Sequence, residues 1–202
     1  MRESRLRRGL LAVALLLASA GPASAAEWQL KPFLGGTYGG STTYILVPQT
    51  GATARLAFGV SGLLLGEIFG VEGDFGHTSG FFQDSNDPLQ LVTDSGVTTT
   101  TGNVVVALPR HLAQYTLRPY VVGGAGIVHI KIDYRLNPIS TSSTLKTMDL
   151  GAGVTGFLTK HLGVSWDVRY FRSIDRTIET GQSIGSEHLS FWRATMALAI
   201  RL

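Results

Sequence analysis

An imidazole two residues from a hydroxyl, as in His77-Thr78-Ser79, is the pair from which a base-activated nucleophile for acyl transfer is built. Such a pair needs an acid to orient the imidazole. No Glu occurs between Glu72 and Glu179, and Asp84, Asp87 and Asp94 fall in a polar stretch that implies no geometry. His129, Lys131 and Asp133, at i, i+2 and i+4, share one face of any strand, where charged groups need partners, so structural ion pairing is the expected role. His111 and His161 sit in separate short turns, and His77, His129 and His188 share no ligand spacing, so no metal site is expected. Gly123-Gly124-Ala125-Gly126 lies inside a strand with no helix after it, which excludes a phosphate-binding loop and leaves relief of crowding in a curved sheet. No cofactor is implied.

The elements that must position these residues are strands. From Leu145 to Tyr170, Met148, Leu150, Ala152, Val154 and Leu158 oppose Thr147, Asp149, Gly151, Gly153 and Thr155. After the turn Thr159-Lys160-His161, Val164, Trp166, Val168 and Tyr170 oppose Ser165, Asp167 and Arg169. Period two with one apolar and one charged face predicts a β-hairpin. The same unit recurs along the chain. Trp28, Leu30, Leu34 and Tyr38 alternate with Gln29, Lys31, Phe33 and Thr37; Leu56, Phe58, Val60 and Leu64 oppose Arg55, Gly59 and Ser61; Phe69, Val71 and Phe75 oppose Glu72 and Asp74. A threonine and valine strand follows over Val97 to Leu108 with Asn103 on the inner parity. A fifth runs from Tyr115 to Tyr134, with Tyr120, Val122, Val128, Ile130 and Ile132 predicted outward and His129, Lys131 and Asp133 inward. The last, Phe191 to Leu202, sets Trp192, Met196, Leu198, Ile200 and Leu202 against Arg193, Thr195 and Arg201.

The chain of 202 residues is 44% hydrophobic, only 15% charged, and carries 25 glycines, a load that a helical bundle would not tolerate. Arg2, Arg5, Arg7 and Arg8 precede the apolar run Leu10 to Leu17, and Ala23-Ser24-Ala25 offers a small-x-small cleavage site. Residues 1–25 therefore read as a signal peptide and 26–202 as one barrel domain. The leader holds four of the 17 Lys+Arg and one of the 14 Asp+Glu, leaving 13 of each in the remainder. A formal charge of zero there gives no support to nucleic-acid binding. Cysteine is absent, so backbone pairing and packing must do the work of disulfides.

Eight strands emerge, and their connections alternate between long and short. Gly66-Glu67, Pro109 to Gln114 and Thr159 to His161 fall at one end, while polar loops over Gly39 to Thr53, Phe82 to Ser95, Asn137 to Ser143 and Ser173 to Glu187 fall at the other. Short turns at one end and long loops at the other are the habit of outer-membrane barrels. Backbone polar groups cannot stay unpaired in hydrocarbon, so the sheet must close, and the expectation is an all-β, eight-stranded antiparallel up-and-down transmembrane barrel. Its lumen is only wide enough to be filled by side chains. Lys31, Arg55, Lys131, Arg169 and Arg193 with Glu72, Asp74, Asp133, Asp149 and Asp167 are expected there as an internal ion-pair network. Trp28 and Tyr38, ten residues apart, and Tyr120 with Tyr134 are expected as interfacial girdles.

Three segments, Arg118-Pro-Tyr-Val-Val-Gly-Gly-Ala-Gly-Ile127, Asp149-Leu-Gly-Ala-Gly-Val-Thr-Gly-Phe-Leu158 and Gly163-Val-Ser-Trp-Asp-Val-Arg-Tyr170, resemble the outer-membrane β-barrel family of OmpA- and OmpX-like proteins, over essentially all of residues 27–202. The resemblance implies a Gram-negative-type outer membrane, contact with its lipid and lipopolysaccharide, and insertion by the barrel assembly machinery. Such chains commonly end in an aromatic residue, whereas this one ends in Leu202. The expected role is non-enzymatic: envelope structure, or binding of a surface ligand through loops, with Tyr44 to Val47 and the acidic stretch around Asp84 and Asp87 as candidates. The alternative is a lipid-modifying enzyme, since outer-membrane lipid A deacylases are similar small barrels with a His-x-Ser pair on the lipid side, the role His77 and Ser79 would take. A soluble lipocalin-like barrel would instead need its apolar parity inside and its charged parity facing water.

Overall fold

The computed structural model describes residues 26–42, 54–81, 92–113, 117–134, 141–174 and 189–202. Glycine spacing, β-branched residues and period-two alternation give strands β1 (Glu27–Thr42), β2 (Arg55–Leu65), β3 (Phe69–Ser79), β4 (Val92–Ala107), β5 (Leu117–Tyr134), β6 (Thr141–Phe157), β7 (Leu162–Ser173) and β8 (Leu189–Arg201). Each pairs antiparallel with the next, and β1 pairs with β8 to close the barrel. At the closing seam Gln29 faces Arg201 and Tyr38 faces Trp192, and Leu202 donates its N–H to the Trp28 carbonyl at 2.9 Å. Closure leaves no strand edge, which hydrocarbon requires. The seam register shifts between Tyr38 and Ser41, where Gly39 adopts φ +64°, a conformation that glycine takes without steric cost.

β2 and β3, at 11 residues, match the roughly 9–11 that a tilted crossing needs, whereas β4, β5 and β6, at 16, 18 and 17, run on at the loop end. Hence β4 begins at Val92 and β6 at Thr141, inside stretches expected as loop. The loop candidates Tyr44 to Val47, Asp84 and Asp87, and the leader 1–25, lie outside the described residues.

Trp28, Leu34, Phe58, Val71, Val104, Leu150, Trp166 and Met196 all stand exposed on the outer wall. An apolar belt of this kind is a liability in water and a match to lipid. Trp28 lies at the turn end, while Tyr38 and the tilted pair Tyr170 and Trp192, 5.0 Å apart, lie at the loop end.

Inside, the residues form three layers. Leu63, Leu65, Val105, Ala107, Tyr120 and Val122 cluster at the turn end. Charged residues occupy the middle, and Val97, Val128, Ile130, Leu145, Phe171, Leu189 and Phe191 cluster at the loop end.

One strand is turned over relative to the sequence expectation. In β5 the buried parity is Arg118, Tyr120, Val122, Val128 and Ile130, whereas Val121, Ile127, His129 and Lys131 are exposed. Lys131 and His129 therefore leave the lumen, and Tyr120 is a lumenal residue instead of part of a girdle. The reason is physical: the lumen's end layers are apolar, so they accept Val122, Val128 and Ile130, while His129 and Lys131 lie toward the loop end, where an outward charge costs little. The side chains of Asp133, Ile132 and Tyr134 fall outside what is described.

Candidate functional site

Seven of the ten charges expected in the lumen meet at its centre. Lys31 comes from β1, Glu72 and Asp74 from β3, Asp149 from β6, Asp167 and Arg169 from β7, and Arg193 from β8. Even residue spacing on each strand turns all of them to one face. Arg169 is the hub: its Nη1 lies 2.7 Å from Glu72 Oε1, and its Nη2 lies 2.7 Å from Asp167 Oδ2. The same Nη1 stands 3.7 Å from Asp74 and 3.9 Å from Asp149. Lys31 Nζ sits 3.2 Å from the second oxygen of Glu72, and Arg193 Nη2 sits 2.7 Å from Asp74. Arg169 is 1% exposed and Lys31 2%, so these charges are removed from solvent and depend on one another.

Neutral groups that sequence reasoning did not place in the network complete it. Thr195 Oγ1 donates to Asp167 at 2.9 Å, Asn103 Nδ2 to Glu72 at 3.2 Å, and the Tyr120 hydroxyl to Asp167 at 3.2 Å. Arg193 donates to Thr99 at 3.2 Å and lies over the Phe33 and Phe171 rings at 4.7 and 4.8 Å. Lys31 lies 5.0 Å over the Tyr120 ring. Glycine makes the room. A Cβ at Gly153 would stand 2.5 Å from Tyr120 Cζ, and one at Gly76 would collide with the Arg193 guanidinium. Four carboxylates face three cations in this cluster, and Asp149 is the member with both oxygens lacking a hydrogen bond. Arg55 holds the inner parity at the loop end of β2, with no ion pair to the cluster among the described residues, and Lys131 faces outward.

At the turn end, a second set of charges surrounds a cavity of about 530 Å³. Glu27 receives Arg201 on one oxygen and Arg110 on the other, each at 2.5 Å, which ties the first strand to the last strand and to the β4–β5 connection. Arg118 donates to the carbonyls of Leu108, Gly66 and Glu67 at 2.9, 3.1 and 2.6 Å, fastening two turns together. Here the signal missed in the sequence was the alignment of the strand ends, which brings together residues as far apart as Glu27 and Arg201.

His77 and Ser79 face outward near the loop end of β3 and line a dent of about 220 Å³ on the outer wall with Thr98, His129 and Lys131. His77 Nδ1 is 2.9 Å from Thr98 Oγ1, so that ring nitrogen is engaged by a threonine. No carboxylate lines the dent among the described residues. The orienting acid of a hydrolytic triad is therefore not among the described residues of its walls. Among the described residues no group of three His, Cys, Asp or Glu could hold a metal ion.

A family model described as outer membrane protein beta-barrel domain matches residues 10–189. Among solved structures, Neisserial surface protein A superimposes with a TM-score of 0.64 at 10% identity, covering 87% of this chain and 97% of that one. The N-terminal β-barrel domain of Pseudomonas aeruginosa OprF gives 0.52 at 12% identity, covering 88% and 98%. The attachment invasion locus protein Ail of Yersinia pestis gives 0.52 at 15% identity, covering 87% and 99%. A search of curated proteins finds no match. At these identities the structural likeness speaks for the fold.

Proposed function

Since the chain belongs to the outer membrane protein β-barrel domain family, we propose that it is a plugged barrel of the Gram-negative outer membrane that serves envelope structure or surface binding, without conduction or catalysis. The observation that carries this reading is the buried cluster around Arg169, which ties β1, β3, β6, β7 and β8 together across the lumen. Apolar layers flank it on both sides, the loop-end one packed around Phe171 and Phe191 and the turn-end one lining the cavity there. An ion crossing the barrel would have to break those pairs. The wall then meets outer-membrane lipid and lipopolysaccharide, residues 1–25 direct export, and the barrel assembly machinery inserts the chain.

The loops are left to do the binding. Ail has been solved with sucrose octasulfate, a heparin analogue. A sulfated glycan is accordingly the first probe for a surface ligand here. The test of the plug is planar-bilayer recording of barrel purified from outer membranes, with heat-modifiable gel mobility reporting the fold. Folded protein that inserts and shows no conductance steps supports the reading. Stable, reproducible open-channel steps overturn it.

A further inference from the structure

The dent on the outer wall is polar where a barrel wall meets lipid. Apart from the buried Ser95, its residues stand in two adjacent rows across three strands. The pairing runs His77 to Thr98 to His129, and, one row nearer the loops, Ser79 to Gly96 to Lys131. The first row continues to Thr144, whose Oγ1 lies 2.9 Å from His129 Nδ1, as Thr98 lies 2.9 Å from His77 Nδ1. Both imidazoles are thus held by threonines through the same nitrogen. Gly96 leaves the hollow between the rows: a Cβ there would stand 3.0 Å from the His77 ring.

The depth of the dent is fixed by its neighbours. On β3 and β5 the apolar belt begins at the exposed Phe75 and Ile127, two residues below His77 and His129 and about 7 Å along a strand, while on β2 the belt residue Phe58 stands beside His77, ring centroids 5.5 Å apart. β3 ends at Ser79 and β5 at Tyr134, so the dent lies at the loop-end rim of the wall, the depth of the lipid headgroups. A cation facing lipid is costly at mid-bilayer and nearly free at the interface, so the position suits Lys131 only at that depth.

We propose that this dent holds the phosphorylated sugar headgroup of an outer-leaflet glycolipid, with its acyl chains lying against the belt below. Lys131 supplies the charge for a phosphate, while the His77 and His129 rings with the Ser79 hydroxyl supply hydrogen bonds to phosphate and sugar oxygens. A hollow of about 220 Å³ suits a headgroup and is too small for the acyl chains. The inference rests on the outer-membrane placement proposed above and names the lipid contact within it.

The test is retention of lipid by the full protein purified from outer membranes, read by native mass spectrometry after detergent exchange, on heat-modifiable material only. The probes are diphosphoryl lipid A, the same lipid with both phosphates removed, and phosphatidylglycerol. Wild type should retain diphosphoryl lipid A at least tenfold better than His129→Ala/Lys131→Ala and than Gly96→Leu, which fills the hollow and leaves the charges in place. Lys160→Ala, at the opposite end, should match wild type. Equal retention by the two dent variants, or equal retention of phosphatidylglycerol or the dephosphorylated lipid by wild type, overturns the site. A conducting barrel that still selects lipid A would sink the plug alone, and a silent barrel without selectivity would sink this site alone.

Discussion

Replacing Arg169 with Leu removes the shared partner of four carboxylates and leaves Glu72, Asp74, Asp149 and Asp167 facing only Lys31 and Arg193. Breaking a buried pair by deleting one member typically costs about 3–5 kcal/mol, because the remaining charge is stranded without water. Glu72 keeps Lys31 and Asn103, and Asp167 keeps Thr195 and Tyr120, which holds the loss inside that range. The expected loss is about 4 kcal/mol. Arg172→Leu, on the exposed face of the same strand, should change stability by no more than about 0.5 kcal/mol. Asp167→Leu should also destabilise, and adding Asp167→Asn to Arg169→Leu should recover part of the loss through their coupling. The assay is reversible urea unfolding in lipid vesicles, followed by tryptophan emission and by gel mobility of unheated samples. If Arg169→Leu unfolds at the same urea concentration as Arg172→Leu, the lumenal cluster is not what holds the barrel's interior.

Asp149→Asn should be neutral or slightly stabilising in the same assay, since Asp149 is the fourth carboxylate against three cations and neither oxygen has a hydrogen bond; a loss above about 2 kcal/mol would contradict that count. Gly153→Ala pushes a methyl into Tyr120 and the Trp166 carbonyl, and should cost about 1–3 kcal/mol in the urea midpoint. Glu27→Gln should cost no more than about 1 kcal/mol, because Arg110 and Arg201 are 43% and 32% exposed and solvent screens the pairs. Ser79→Ala should leave the acylation of lipid A unchanged in mass spectra of cell envelopes, as expected of a hydroxyl whose dent has no carboxylate among its described lining residues.

Strand number, closure and the faces of most strands were legible because period two is enforced by the pleat itself. In β7, Trp166 and Val168 meet lipid while Asp167 and Arg169 meet the lumen, and no other phase keeps charge out of hydrocarbon. β5 failed on the same rule applied too widely. Both of its parities are apolar through the centre, so His129, Lys131 and Asp133 became the only guide, and they sit at the loop end where charge no longer reports the inner face. Cross-strand partners were legible only as types. Nothing in the local sequence joins Glu72 to Arg169, or Tyr120 to Asp167, since those contacts depend on barrel register: the first crosses from β3 to β7, half the circumference, and the second from β5 to β7. Gly153 was legible as an inner-parity residue but its neighbour was not: the glycine makes room for the Tyr120 ring, which comes from a strand the local sequence does not identify.

The barrel's two-faced wall is tested most directly on the strand where sequence and structure part. The chain has no cysteine, so single cysteines at 127, 128, 129 and 130 can each carry a spin label without background. Collision with oxygen, which concentrates in lipid, should be high at Ile127 and low at Val128 and Ile130, where native side chains are 48%, 1% and 1% exposed. The reverse pattern, with Val128 and Ile130 open to lipid oxygen and Ile127 shielded, would contradict the register of β5 and with it both the apolar lumenal layers and the placement of Lys131 on the outer wall.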